Sequence, residues 1–174
     1  MSAPARPRVL FTAEAITVRV AALAREIARA PLVPNLAAPV LAGGFVMAAD
    51  LLRALAREGL ALETEFLWLR SYKGRKRGDG VMVLAGPSDI VRGKTVLLID
   101  GVLDSGHTLA RATELLTERG AACVLSAVAV VKKRTDAVFA ADYAGFETGT
   151  EYLIGYGMDA EGYARGLPDI SVVD

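Results

Sequence analysis

The sequence predicts an α/β domain with a mainly parallel sheet flanked by helices, and three observations carry that prediction. Continuous apolar runs such as "KTVLLID" and "ACVLSAVAVV" suit strands covered on both faces. They alternate with segments whose apolar residues recur at helical spacing, the pattern of strands joined by right-handed helical crossovers. The length of 174 residues, 53% hydrophobic and 23% charged, fits one domain spanning 1–174 with a substantial core.

The elements follow in order. Residues 1–8 carry two prolines and are expected to form a flexible arm. Thr12 is placed to cap a helix, with Glu14 near its positive end and Ile16, Val20, Leu23 and Ile27 on one apolar face. "LAAPVLAGG" reads as a buried strand ending at Ala42, and "GFVMAADLLRALAREG" as a helix closed by Gly59. Residues 61–72 and 80–86 read as the arms of a hairpin with the basic, glycine-rich tip "KGRKRGDG". "KTVLLID" is a strand closed by Asp100, "TLARATELLTERG" a helix stopped by Gly120, and "ACVLSAVAVV" the next buried strand. Beyond Arg134 the short pieces "DYAGF", "EYLIGYG" and "ISVVD" belong at the sheet edge or in a lid over it.

Composition excludes several functions. Lys plus Arg equals Asp plus Glu, 20 each, so no global charge favours nucleic acid or an anionic membrane as partner. The one cysteine, Cys123, lies in an apolar run and cannot form an internal disulfide, which suits a reducing compartment. No apolar run approaches the ~20 residues that cross a bilayer, and "MSAPARPRVLF" lacks the apolar core of a signal peptide. A cytoplasmic location is expected. His107 is the only histidine, which rules out a multi-histidine metal site. Neither a P-loop nor a dinucleotide-binding glycine motif occurs.

In open parallel sheets ligands collect beyond the carboxyl ends of the strands, and the glycine turns at 42–44 and 101–107 both fall on that edge. In "DSGHT" the amides and hydroxyls of Ser105, Gly106, His107 and Thr108 can converge on one anion at a helix N-terminus. Asp100 closes the preceding strand and can accept from a ribose diol, so a ribose 5-phosphate fits better than a bare phosphate. Spacing alone also permits an ordinary capped turn.

"VLLIDGVLDSGHTL" resembles the phosphoribosyl pyrophosphate motif of the type I phosphoribosyltransferases. "LFTAEAITVRVAALAREIA", "LAGGFVMAADLLRAL", "LRSY", "VKKRTD", "DYAGFE" and "YLIGYGMDAEGYARGLPDI" resemble the hypoxanthine-guanine branch, in family order over nearly the whole chain. The resemblance implies the family fold, a parallel sheet with flanking helices and a small hood. It also implies transfer of ribose 5-phosphate from phosphoribosyl pyrophosphate to a 6-oxopurine, with Mg2+ and release of pyrophosphate, in purine salvage.

By resemblance, Ser105, Gly106, His107 and Thr108 hold the 5-phosphate, Asp100 the ribose hydroxyls, and Asp104 the purine N7 as proton acceptor or donor. Ser71 and Tyr72 open a mobile loop, followed by Lys73, Arg75, Lys76 and Arg77, which either face pyrophosphate or form a solvated turn. Lys133 donates to the 6-oxo group, with Lys132 adjacent; Tyr143 stacks on the base and Ala144 reads its edge. Ala42, Gly43 and Arg165 take the pyrophosphate, Asp100 the metal, and Glu151 is the neighbour that could stand in for the metal carboxylate that position 150 lacks.

Three positions depart from the family: Ala42 for a basic residue, Gly101 for a second acid, and Thr150 for a metal-binding Asp. All bear on the donor half of the site. They leave open a nucleotide-binding sensor or regulator with little turnover, and a lysine and a tyrosine leave open another nitrogenous base. A homodimer or homotetramer is the resemblance-based expectation.

Overall fold

A computed structural model describes residues 7–71 and 80–173. Tyr72, the basic residues Lys73, Arg75, Lys76 and Arg77, and most of the N-terminal arm lie outside the described residues.

In chain order the elements are β1 (Arg8–Phe11), α1 (Ala13–Ala28), β2 (Leu36–Leu41), α2 (Phe45–Arg57), β3 (Glu63–Thr64), β4 (Leu67–Ser71) and β5 (Val81–Ala85). There follow β6 (Thr95–Leu103), α3 (His107–Glu118), β7 (Cys123–Lys132), β8 (Tyr143–Thr148), β9 (Leu153–Ile154) and β10 (Ile170–Val172). The main sheet runs β5-β4-β2-β6-β7-β8, with β3 beside the start of β2. All its pairings are parallel except β4 with β5, the expected hairpin. A small antiparallel sheet, β1-β10-β9, stands apart from it as the hood.

Side-chain alternation along β6 explains the two cores. Leu97 and Ile99 join α1 and α2 on one face, and Val96 and Leu98 join α3 on the other. Both faces are covered, so the strand is apolar throughout. Thr12 caps α1, its hydroxyl accepting from the Ala15 N–H at 3.3 Å, and Ile16, Val20, Leu23 and Ile27 are buried. Cys123, by contrast, is only half-buried.

Two boundaries differ from the sequence expectation. Arg8 belongs to β1, where it pairs with Val172, so the arm stops short of it. Strand β6 continues past Asp100 to Leu103, because Val102 and Leu103 still pair with Val130 and Val131 of β7. Gly101 therefore lies within the strand and not in the loop. Among the described residues no helix is long and apolar enough to cross a membrane.

Candidate active site

Strands β2, β6, β7 and β8 are parallel and end at Leu41, Leu103, Lys132 and Thr148, so these residues share one edge of the sheet. The loop after β6 reaches α3 through Gly106, whose φ of +90° favours glycine. A Cβ there would also stand 2.6 Å from the Cβ of Phe139. The Val138 N–H donates to the Ser105 carbonyl at 2.9 Å, so the segment after β7 braces this loop from outside. Ser105, His107 and Thr108 are half-buried. They surround the first turn of α3, where helix amides lack intrahelical acceptors and the dipole favours an anion.

Asp104 sits at the mouth of the same loop. Its Oδ2 accepts from Lys132 Nζ at 3.1 Å and its Oδ1 from Arg134 Nη1 at 2.9 Å. Burial pushes this carboxyl up, but the hydrogen bonds and charges of Lys132 and Arg134 outweigh it and hold it below the usual carboxylate value. The group is an anion at neutral pH, fixed beside a buried lysine.

The other end of the edge is built on glycines. Asp100 is buried, and its Oδ1 accepts from its neighbour Gly101 N–H at 2.7 Å. Burial pushes the carboxyl up to about 7, against the smaller opposing effect of that N–H. The β2–α2 turn crosses above it: a Cβ on Gly43 would lie 3.3 Å from Asp100 Oδ1. The turn includes a cis peptide bond between Leu41 and Ala42. Arg165 reaches the same corner from the hood, donating to the Gly157 carbonyl at 2.6 Å and pairing with Asp159 at 2.6 Å. Ala42, Gly43, Asp100 and Arg165 are thus brought together.

A family model, the phosphoribosyl transferase domain, matches residues 10–160. The chain belongs to the phosphoribosyl transferase family. The hypoxanthine-guanine phosphoribosyltransferase of Aquifex aeolicus is 33% identical over 171 residues, covering 96% of this chain and 94% of that protein. The enzyme of the same name from Dictyostelium discoideum is 34% identical, covering 92% and 91%. The hypoxanthine phosphoribosyltransferase of Trypanosoma cruzi, solved with the product IMP, superposes with a TM-score of 0.86 at 30% identity, covering 100% and 97%.

Within this phosphoribosyl transferase, several expected positions fall elsewhere. Lys133 points away from the edge, its Nζ 3.0 Å from Glu147, because adjacent strand-end residues face opposite sides; Lys132 is the one that turns inward. Tyr143 and Ala144 pair with Ala127 and Val128, at the start of β8. Lys132 pairs with Thr148, five residues further along, roughly 16 Å away at strand rise. Tyr143 packs against the core instead. Glu151 accepts from the Thr148 hydroxyl at 3.0 Å, two strands across from Asp100 and past the level of Ala144, which pairs with Val128 beside Asp100. The two carboxylates are on the order of 15 Å apart by strand geometry and cannot share one cation. Ser71 ends β4 and is exposed; Tyr72 lies outside the described residues.

Three residues of the edge had no sequence reading. Arg134 joins Asp104, Asp159 joins Arg165, and the exposed ring of Tyr152 follows β8 on the Lys132 side, its hydroxyl donating to the Asp159 carbonyl at 2.8 Å. The glycine-rich run around Asp159 was the available signal for that acid.

Proposed function

We propose that the protein transfers the 5-phosphoribosyl group of phosphoribosyl pyrophosphate to a ring nitrogen of hypoxanthine or guanine, releasing pyrophosphate, as its relatives' names suggest. The observation that carries this reading is the Lys132–Asp104 pair beside the anion-binding turn of α3. It sets a hydrogen-bond donor and a fixed carboxylate beside a helix N-terminus suited to a phosphate.

The roles follow from chemistry. Ser105 to Thr108 and the α3 amides hold the 5-phosphate. Asp104 faces the base and takes or stabilises the purine proton as the new bond forms. Lys132 donates to the 6-oxo oxygen, which favours oxopurines over an amino-substituted ring. Tyr152 offers the exposed aromatic face at this end of the sheet. Asp100 accepts from the ribose hydroxyls, and Ala42, Gly43 and Arg165 receive the pyrophosphate.

Magnesium fits this donor set. Among the described residues no cluster of three or more metal-binding side chains forms a cage, but magnesium needs only one or two carboxylates with substrate phosphates and water. Asp100, buried without a cation beside it among its described partners, and Asp159, at the Arg165 corner, would hold it. When bound, the ion neutralises charge on the departing pyrophosphate.

Self-association is part of the proposal. Leu41, Ala42, Phe45, Phe66 and Trp68 line an open apolar hollow of about 450 Å³, and Phe45, Phe66 and Trp68 are each more than 40% exposed. A second copy is the simplest cover for such a face.

Incubation with phosphoribosyl pyrophosphate, Mg2+ and each of hypoxanthine, guanine, xanthine and adenine tests the function. Nucleotide is expected with at least one oxopurine; no turnover on the whole panel refutes it.

A further inference from the structure

We propose that Gly101 and Gly157 are positioning residues for the pyrophosphate end of the reaction, forming a slot that seats the Gly43 carbonyl. The inference rests on the phosphoribosyl-transfer reading and adds the reason for a glycine where an acid was expected.

A Cβ on Gly101 would stand 2.6 Å from the Gly43 carbonyl oxygen and 3.2 Å from its carbon, with the Met158 side chain 3.6 Å away. A Cβ on Gly157 would press on the same carbonyl oxygen, with Val46 Cβ at 3.5 Å. Both glycines are therefore filled up to the backbone by one oxygen. The two walls come from different parts of the fold: Gly101 from β6 of the main sheet, Gly157 from the turn after β9 in the hood. Gly157 has a φ of +96° and its own carbonyl accepts from Arg165, so the hood wall is held in place.

The slot orients the turn. With its carbonyl wedged, the Gly43–Gly44 peptide is further fixed by the Gly44 N–H, which donates to Val40 O at 2.9 Å. Neither restraint uses the N–H of Gly43, which has no acceptor among the described residues. A rigid turn with an open amide next to Arg165 is arranged to receive an anionic leaving group. A side chain at 101 would need the space that the Gly43 carbonyl fills; the glycine leaves it to the turn.

Gly101→Ala is the main test, because this position has an ordinary φ and only the contact with Gly43 opposes a methyl group. After wild-type turnover is established, the KM for phosphoribosyl pyrophosphate and the Kd for pyrophosphate with Mg2+ are expected to rise roughly tenfold or more. The Kd for IMP, gripped at the phosphate and base ends, should change less than about threefold. Equal weakening of both ligands, or no change in either, overturns the inference; so does tighter donor binding in Gly101→Asp. Should the variants not fold, amide exchange in the wild type decides: pyrophosphate should slow exchange across 42–44 and IMP should leave it nearly unchanged. Absence of that difference also overturns it. A wild type that neither turns over nor binds pyrophosphate would instead remove the functional reading itself.

Discussion

Lys132 Nζ stands 3.1 Å from Asp104 Oδ2, while the next residue, Lys133, turns to Glu147 on the opposite side of the strand end. Lys132 is buried and its partner half-buried.

Lys132→Met should therefore lower kcat/KM for hypoxanthine by about ten- to a hundredfold, the range for losing a hydrogen bond to a charged group. Lys133→Met should stay within about twofold, since exposed pairs contribute little. Steady-state kinetics on both variants checks the assignment; the opposite ranking would return the role to Lys133.

Asp104→Asn keeps the shape but removes the charge that Lys132 and Arg134 surround. The chemical step should slow by about a hundredfold, as for loss of a general acid–base group, with IMP affinity within tenfold, read by single-turnover kinetics and calorimetry. An unchanged rate would contradict the role.

Asp100 predicts an unusual pH response of the ligand-free protein. Its carboxyl is raised by burial to about 7, so between its unfolded value of 3.8 and 7 the folded state binds the extra proton. Stability from this group is fully present below about pH 4 and is lost as pH rises through 7, by an upper limit on the order of 4 kcal/mol. The carboxyls held low, Asp104, Asp136, Glu14 and Glu151, change protonation only below their ordinary values. Denaturant titrations from pH 5 to 8 should show the decline, and Asp100→Asn should flatten it.

Tyr152→Ala should raise the KM for the base by roughly tenfold or more, the size of a lost base–aromatic stack. Tyr143→Ala should act on stability, by on the order of 2 kcal/mol for a half-buried aromatic, with the KM near wild type. Paired kinetics and thermal melts distinguish the two tyrosines.

Trp68→Lys places a charge on the apolar hollow beside Ala42. Light scattering should show a smaller particle than the wild type at the same concentration; equal masses would exclude this face as the self-association surface.

The fold was legible because parallel strands are apolar along their whole length and their helices carry caps and a single apolar stripe, as at Thr12 and Ile16 to Ile27. The turn after β6 was equally legible, since "DSGHT" keeps turn and helix start within a few residues. The base side was not. Lys132 and Lys133 differ only in which face the strand presents, and one residue of register decides it. Tyr143 and Tyr152 both follow β7, but only pairing with Ala127 or the position after Thr148 tells which end of the sheet each occupies. Asp159 and Arg165 meet Gly43 through the hood, whose strands come from both ends of the chain, and no local pattern announces such a contact.

The Ser105 carbonyl bonded to Val138, with Phe139 laid against Gly106, has a geometric outcome. It welds the loop that would take the phosphate to the segment that carries the base-side lysine, so the jaws at the two ends of a nucleotide belong to one rigid caliper. Such a tool would hold the phosphate and base ends of a ligand at one fixed spacing. Remodelling the 132–142 segment to accept a larger base would reset the gap at the phosphate as well.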